Sequence, residues 1–208
     1  MSTEKAAYHH GNLREALVRT ALALLEDGGV EALTLRAAAR GAGVSAMAPY
    51  RHFADKAALL TAVAAQGYAD LRDRLAHADG QTDARQALVE QGVAYVLFAY
   101  ERPALFRLMF GAPLAAPKVA PASADTAYGI LAARVAGLVP EAERETATMA
   151  AWSLVHGLAC LTVDGRLPPP AQGNAPTTEA LARRVTGLFA AGLPADGGDA
   201  GRGRSRGR

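Results

Sequence analysis

The chain has 208 residues, half of which are hydrophobic, and its formal net charge is only +2. This composition is sufficient for a folded protein with a sizeable core, and it excludes a polycation that binds partners through its overall charge. The single cysteine, Cys160, excludes an internal disulfide bond. No Cys and His cluster has metal-ligand spacing, so we expect neither a metal nor another cofactor.

The apolar stretches are short for a membrane-spanning helix, because Arg, Glu, Gln or Gly interrupts each of them before about 18 residues. The N-terminal sequence MSTEKAAYHHGN contains no apolar signal-peptide segment. We therefore expect a cytoplasmic protein without a membrane attachment.

Positive charge is concentrated in two parts of the chain. Residues 34–56 contain four basic residues and one acidic residue, whereas residues 61–193 contain eleven basic and twelve acidic residues. The final sequence, GRGRSRGR, contains four arginines and no acidic residue. A local excess of positive charge is typical of a surface that binds an anionic partner.

The first predicted element is an amphipathic helix over residues 12–26. Apolar residues recur there at intervals of three and four positions, at Leu13, Leu17, Ala21 and Leu24. The glycine pair at 28–29 is expected to end this helix.

Two short helices follow. Thr34 is a candidate N-cap for a helix that ends near Gly41, because its hydroxyl can accept a hydrogen bond from a backbone N–H. The sequence GAGV then predicts a tight turn. Ser45 is a candidate N-cap for a second short helix that continues through Phe53. Two short helices joined by a glycine-containing turn predict a helix-turn-helix.

Helices are predicted for most of the remaining chain, and no segment shows the alternation of a strand. Asp55 is a candidate N-cap for a long helix that starts at Lys56. A mostly buried helix follows the polar break at 79–83 and is interrupted at Pro103. Further helices are predicted at residues 123–138, 141–163 and 177–193, and loops at the proline-rich stretches 113–121 and 167–176.

The predicted elements divide the chain into three parts and give an all-α fold class. Residues 1–60 form an N-terminal three-helix domain that contains the helix-turn-helix, and residues 61–194 form a larger helical domain. Residues 195–208 have no apolar content that would offset the entropy of ordering, so they are predicted to be a disordered tail rich in Arg and Gly.

The segment TLRAAARGAGVSAMAPYRHFADKAALL, residues 34–60, resembles the helix-turn-helix of the tetracycline-repressor-like (TetR) family of transcription regulators. The resemblance rests on AGVS, on Tyr50 with Phe53 three residues later, and on Asp-Lys before a leucine-rich helix. It extends back through residues 8–35. The pattern of Trp152, His156 and Gly157 in this chain also resembles the C-terminal domain of one subgroup of the family.

The resemblance implies a DNA-binding transcription regulator in which the recognition helix enters the major groove. It implies a repressor that binds a pseudo-palindromic operator in double-stranded DNA and is released by a small apolar or aromatic effector. One short recognition helix contacts only a few base pairs, so specificity requires two half-sites and a two-fold symmetric homodimer. Helices near 147–163 and 178–193 would form the dimer interface as a four-helix bundle.

The residues of this motif suit contacts with DNA. Small or flexible side chains begin the recognition helix, and Met47 can contact a thymine methyl group. Surrounding polar and basic side chains can bind phosphates, although Ala48 stands where the family commonly has a threonine that does so. A solvated basic face is the alternative interpretation. The candidate DNA-binding residues are Thr34, Arg36, Ser45, Ala46, Met47, Pro49, Tyr50, His52 and Lys56.

Large side chains of the second domain either fill its core or line a ligand pocket. The candidate ligand-binding residues are Tyr95, Phe98, Phe106, Met109, Phe110, Trp152 and His156. His156 lies on an apolar helix and is either a satisfied core histidine or a ligand contact. Cys160 is interpreted as a small buried hydrophobic residue. His9 and His10 are interpreted as part of a polar N-terminal arm rather than as metal ligands.

Two other kinds of function remain open. One is an architectural DNA-binding protein whose second domain only dimerises, and the other is a helical enzyme or lipid carrier. No nucleophile, base and orienting residue occur with a recognisable spacing, so we expect no enzymatic activity. A DNA-binding assay separates the carrier from the regulators, and ligand-induced release separates the two kinds of DNA-binding protein.

Overall fold

The computed structural model describes residues 13–80, 83–111, 126–168 and 172–194. The described part is helical and contains no strand, which confirms the predicted all-α class. Its α-helices are α1 (Leu13–Ala32), α2 (Leu35–Gly41), α3 (Lys56–Ala78), α4 (Ala84–Glu101), α5 (Pro103–Phe110), α6 (Ala127–Ala136), α7 (Arg144–Val163) and α8 (Ala175–Gly192). The predicted N-terminal arm with His9 and His10, the loop at 113–121 and the tail at 195–208 lie outside the described residues.

The first of two compact units contains the described residues 13–68 and 102–111. In this unit α1 contacts both α2 and α5. Phe53, at the end of the turn that follows α2, is buried in the core of this unit. Buried aliphatic side chains of the same unit include Leu17, Ala21 and Leu25 of α1 and Leu59 and Val63 of α3.

Two predicted N-caps are confirmed in this unit. Thr34 Oγ1 accepts a hydrogen bond from the N–H of Ala37 at 3.0 Å, which starts α2. Asp55 Oδ1 accepts one from the N–H of Ala58 at 2.8 Å, which starts α3. The predicted end of the first helix is only partly correct, because α1 resumes for a few residues beyond a break at Gly29. The φ of Gly29 is 68°, a left-handed value that glycine adopts without a steric penalty.

The predicted helix from Ser45 to Phe53 is wrong. Only Ala48–Arg51 form a 3₁₀ turn, and no side chain caps its start. An α-helix that began at Ser45 would need the N–H of residue 49 for its first hydrogen bond, and Pro49 has no N–H. The proline ring also disfavours the α conformation of Ala48. The N–H of Ala48 instead donates to the carbonyl of Ser45 at 3.0 Å, which closes a turn.

The second compact unit contains the described residues 69–80, 83–101, 126–168 and 172–194. Its central element is α4, which packs against α6, α7 and α8. Phe98 and Val96 of α4 are fully buried. A side chain at Gly92 would collide with Thr186 of α8, so the glycine permits the close approach of these two helices.

The last three helices start close to their predicted positions. Thr126 caps α6 by accepting a hydrogen bond from the N–H of Gly129 at 2.9 Å, and a short 3₁₀ turn, Glu141–Glu143, precedes α7. α8 starts inside the predicted loop because Asn174 caps it. Pro176 is tolerated in the first turn of α8, where its missing N–H would have no intrahelical partner.

Candidate functional site

The turn between α2 and α3 presents a row of side chains to solvent. Met47 is 70% exposed and Tyr50 is 46% exposed. Gly43 has a φ of 70°, which allows the chain to reverse direction directly after α2. The other exposed candidates of this region are Thr34, Arg36, Ser45, Ala46 and His52.

Pro49 and Lys56 are placed differently from these candidates. Pro49 is buried, so we expect it to shape the turn rather than to contact DNA. Lys56 is half-buried, and its Nζ donates a hydrogen bond to the carbonyl of Val30 at 2.7 Å. An ammonium group has three donors, so that of Lys56 retains two for a phosphate.

Three arginines surround the exposed turn. Arg36, Arg40 and Arg51 are all exposed. Among the described residues none of the three forms an ion pair with a carboxylate. Their charge is therefore available to an anionic partner such as a DNA phosphate.

The candidate ligand-binding residues are distributed over both compact units. Phe106, Met109 and Phe110 belong to α5 in the first unit, where the rings of Phe106 and Phe110 are 4.9 Å apart. The hydroxyl of Tyr68 donates to the carbonyl of Met109 at 2.5 Å. Phe98 belongs to the second unit and is fully buried, so we expect it to fill the core there.

Tyr95, Trp152 and His156 come together in the second unit. The hydroxyl of Tyr95 lies 2.9 Å from Nδ1 of His156, and Sγ of Cys160 lies 3.6 Å from Nε2. The rings of Trp152 and His156 are 5.8 Å apart. Tyr128 of α6 packs edge-on against Trp152 at 5.9 Å. We call these five residues the Tyr95 group.

Burial favours the uncharged forms of His156 and Cys160 in the Tyr95 group. Burial lowers the pKa of His156. Burial raises the pKa of the Cys160 thiol, and the charge of Asp164 raises it further. Because a phenol is a stronger donor than a thiol, we assign Nδ1 of His156 as the acceptor for Tyr95, with the ring N–H on Nε2. The group thus offers aromatic surface and hydrogen bonds without net charge.

A buried polar residue one helical turn from Tyr95 was missed by the sequence analysis. Gln91 of α4 is 2% exposed. Its Nε2 donates to Oδ1 of Asp79 at 2.5 Å, and Nε of Arg134 donates to the same carboxylate oxygen at 2.7 Å. The sequence does contain a signal for this residue. A glutamine in a largely apolar helix is expected to be buried and therefore to need a hydrogen-bond partner.

Two other features bear on ligands. A cavity of about 190 Å³ is lined by residues that include Tyr100, Thr162 and Thr178, and by none of the candidate ligand-binding residues. It is smaller than the roughly 300 Å³ at which pockets for drug-sized ligands begin. No group of three or more His, Cys, Asp or Glu side chains that could hold a metal occurs in the part of the chain that the structure describes.

Two family models match the sequence. The model described as bacterial regulatory proteins, tetR family, matches residues 17–63. The model described as tetracyclin repressor-like, C-terminal domain, matches residues 88–187. The chain belongs to the TetR family. It is therefore a DNA-binding transcriptional regulator, and the exposed turn lies within the matched DNA-binding segment.

Known proteins extend this similarity. The tetracycline repressor protein class C of Escherichia coli is 55% identical over 51 residues, which are 24% of this chain and 23% of the repressor. A solved protein of unknown function from Rhodococcus sp. RHA1 is 33% identical with a TM-score of 0.74, and the alignment covers 91% of this chain and 99% of that one. A TetR variant from Acinetobacter baumannii AYE, solved in complex with minocycline, is 22% identical with a TM-score of 0.57 and coverages of 85% and 93%.

One stretch of this TetR-family regulator is more apolar than the sequence analysis expected. Residues Glu141–Val163 are long and apolar enough to cross a membrane by length and composition, with a mean hydropathy of 1.3. Only 22% of the apolar window is buried. TetR-family DNA-binding regulators are cytoplasmic proteins, and one helix that passes this test of length and composition is not evidence of a membrane span.

Proposed function

We propose that this regulator is a repressor that binds a pseudo-palindromic operator as a homodimer and releases it when a small neutral effector binds. The main support for operator binding is the exposed turn at 45–52. Met47 and Tyr50 protrude there beside arginines that have no carboxylate partner among the described residues. A turn of this size reaches only a few base pairs. Useful specificity therefore requires two half-sites.

Most of the candidate DNA-binding residues have a proposed role at the DNA. Ala46 and Met47 contact base edges, and they are small or unbranched enough to approach them closely. Tyr50, His52 and Lys56 bind phosphates and fix the register of the turn. Thr34 and Arg36 bind phosphates from the start of α2.

We propose residues 1–60 as the DNA-binding domain and residues 61–194 as the ligand-binding and dimerisation domain. The two family models, over 17–63 and 88–187, support this division. The tail at 195–208 is proposed to contribute arginine contacts with phosphates.

The exposed apolar surface of α7 and α8 supports the homodimer. Met149, Leu161 and Leu188 are 46%, 44% and 78% exposed. Met149, Ser153, Gly157 and Leu161 are each four residues apart and exposed, so they form one stripe along α7, which we call the α7 stripe. The small residues in its middle permit a second helix to approach closely. We infer that α7 and α8 of two copies pair as a four-helix bundle.

The Tyr95 group supports a small neutral effector. It combines the aromatic rings of Tyr95, Tyr128 and Trp152 with an imidazole whose uncharged form is favoured by burial, which suits an apolar or aromatic molecule with few polar groups. The complex of the Acinetobacter relative with minocycline also supports a small-molecule effector.

Selection of bound sequences from random duplex DNA tests the proposal. The full-length protein is used at a stated salt concentration, because phosphate contacts make affinity strongly salt-dependent. We expect enrichment of one pseudo-palindromic sequence. Recovery of unrelated sequences, with an affinity that depends on salt alone, would contradict the proposal and favour an architectural role.

A further inference from the structure

Oε1 of Gln91 is a buried acceptor without a donor in the described part of the chain. Among the described residues no hydrogen-bond partner lies within reach of this atom, and Gln91 is 2% exposed. Buried polar atoms are nearly always paired, because burial removes their hydrogen bonds to water. The atom therefore suits a donor that comes from a bound molecule.

The orientation of the Gln91 amide is fixed by its other end. Nε2 donates to Oδ1 of Asp79 at 2.5 Å. Arg134 binds the same residue twice, from Nε to Oδ1 at 2.7 Å and from Nη2 to the backbone carbonyl at 3.2 Å. Rotation of the amide would place Oε1 against Oδ1 of Asp79, which is the acceptor of the ion pair with Arg134, and would bring two acceptor oxygens together. Oε1 thus remains the acceptor.

The unpartnered oxygen belongs to the same helix face as the Tyr95 group. Gln91 and Tyr95 are four residues apart on α4, so their side chains are neighbours on that face. Asp79 and Arg134 neutralise each other, and burial favours the uncharged form of His156. The surroundings therefore combine one available acceptor, aromatic rings and no net charge.

We infer that Gln91 determines the specificity of the effector site, where its Oε1 accepts a hydrogen bond from an O–H or N–H group of a neutral aromatic molecule. This inference rests on the proposed effector-binding role of the Tyr95 group. Phenols, primary amides and N–H heteroaromatic compounds have the required donor. Carboxylates do not, and their charge would face an acceptor oxygen.

Matched probes that differ only in the donor test this inference. Phenol is compared with anisole, and benzamide with N,N-dimethylbenzamide. Trp152 is the only tryptophan of the chain and belongs to the Tyr95 group, so its fluorescence reports binding to the full-length protein without DNA. We expect each donor probe to bind roughly tenfold more tightly than its methylated partner, the effect of one good hydrogen bond at a buried acceptor.

Each methylated probe lacks the donor and is also bulkier, so a weaker affinity could have either cause. Substitution of Gln91 distinguishes the loss of the hydrogen bond from the added bulk of the methyl groups. In Gln91→Leu the affinity ratio within each pair should fall to about one, whereas Gln86→Leu should keep the wild-type ratio. Gln86 lies on the same helix, is exposed, and bonds to Glu90. If Gln91→Leu does not fold, Gln91→Met provides the same comparison with an unbranched side chain.

Several outcomes would overturn the inference. These are equal affinities within the pairs for the wild-type protein, a donor preference that survives substitution of Gln91, or no Trp152 response up to the solubility of the probes. Release of a selected operator is measured separately with the same probes. A donor-dependent Trp152 response without release would contradict effector release but not the role of Gln91, and release without a donor preference would contradict only the role of Gln91.

Discussion

Met47 is the most exposed large hydrophobic side chain of the helix-turn-helix, at 70%. Since it packs little within the protein, we expect Met47→Ala to leave the free energy of unfolding unchanged. It should cost about 1 kcal/mol at one base position in each half-site, near the lower end of a mismatch penalty. The base-specific loss is measured as the affinity of both proteins for the operator, its single-base variants and random DNA. A uniform loss on all sequences would show that Met47 supports the turn and does not read bases.

Lys56 differs from Met47 because we expect it to contribute to DNA affinity through its charge and not through its shape. Lys56→Ala should weaken binding to all sequences similarly and reduce the salt slope by about 0.9, the value for one phosphate contact. The lost hydrogen bond to Val30 should also lower the free energy of unfolding by about 0.5–1.5 kcal/mol. Lys56→Arg, which keeps the charge, is the control for the salt slope. A loss confined to particular bases would contradict this role.

His156 should make the stability of the protein depend on pH. Burial lowers its pKa in the folded state. The unfolded chain therefore binds more protons just below the ordinary histidine pKa of about 6.5, and stability is lost as the pH falls through that value toward the lower folded pKa. Tyr95, Trp152 and Cys160 face the imidazole, and none of them is a carboxylate that would stabilise its charged form.

The His156→Gln variant tests this pH dependence. The urea midpoint of the wild-type protein should decrease between about pH 7.5 and pH 5, and this decrease should be smaller in His156→Gln. His77→Gln is the matched control, because His77 is exposed. An identical pH dependence of His156→Gln and the wild-type protein would show that His156 does not resist protonation.

At the scale of elements, helix starts with a local cap were predictable from the sequence. Thr34 and Asp55 bond to N–H groups three residues away, so both partners lie within one short stretch. The helix predicted from Ser45 failed for an equally local reason. Pro49 lacks the N–H that would form the first α-helical bond, so the chain forms a 3₁₀ turn instead.

Contacts between helices were not predictable in the same way. Gln91, Asp79 and Arg134 lie on or beside different helices, and Arg134 is 55 positions from Asp79. The pairing of these residues depends on how α4 and α6 pack, which periodicity does not specify. Tyr95 and His156 could therefore be named as candidates from the sequence, whereas Gln91 could not. Phe106, Met109 and Phe110, which were named with them, belong to the first compact unit.

The α7 stripe gives a test of the dimer at the element scale. A Cβ atom at Gly157 would have no contact within 4 Å among the described residues, so Gly157→Arg should leave the helix content unchanged. It should convert the dimer to a monomer, because a long charged side chain would stand where the second helix approaches. Sedimentation measures the mass. Gly137→Arg, at an exposed helix end, is the control, and a dimer that persists in Gly157→Arg would contradict this interface.

At the scale of the whole molecule, positive charge outside the helix-turn-helix is concentrated in the last eight residues. These residues lie outside the described part of the chain. Removal of 201–208 should reduce the salt slope and the affinity for random DNA, because arginines contact phosphates without the need to fold. The preference for operator over random DNA should survive. A chain with the four arginines replaced by glutamine is the control for length, and an unchanged salt slope would assign the tail no role in DNA binding.

The central claim is that two copies of the chain bind two half-sites of one operator. The most direct measurement compares the stoichiometry and affinity of the full-length protein on the selected operator and on one whose half-sites are about five base pairs further apart, half a helical turn. We expect two chains per operator, or a multiple of two, and a fall in affinity toward the value for random DNA after the shift. One chain per duplex, with the same affinity for both spacings, would contradict the claim.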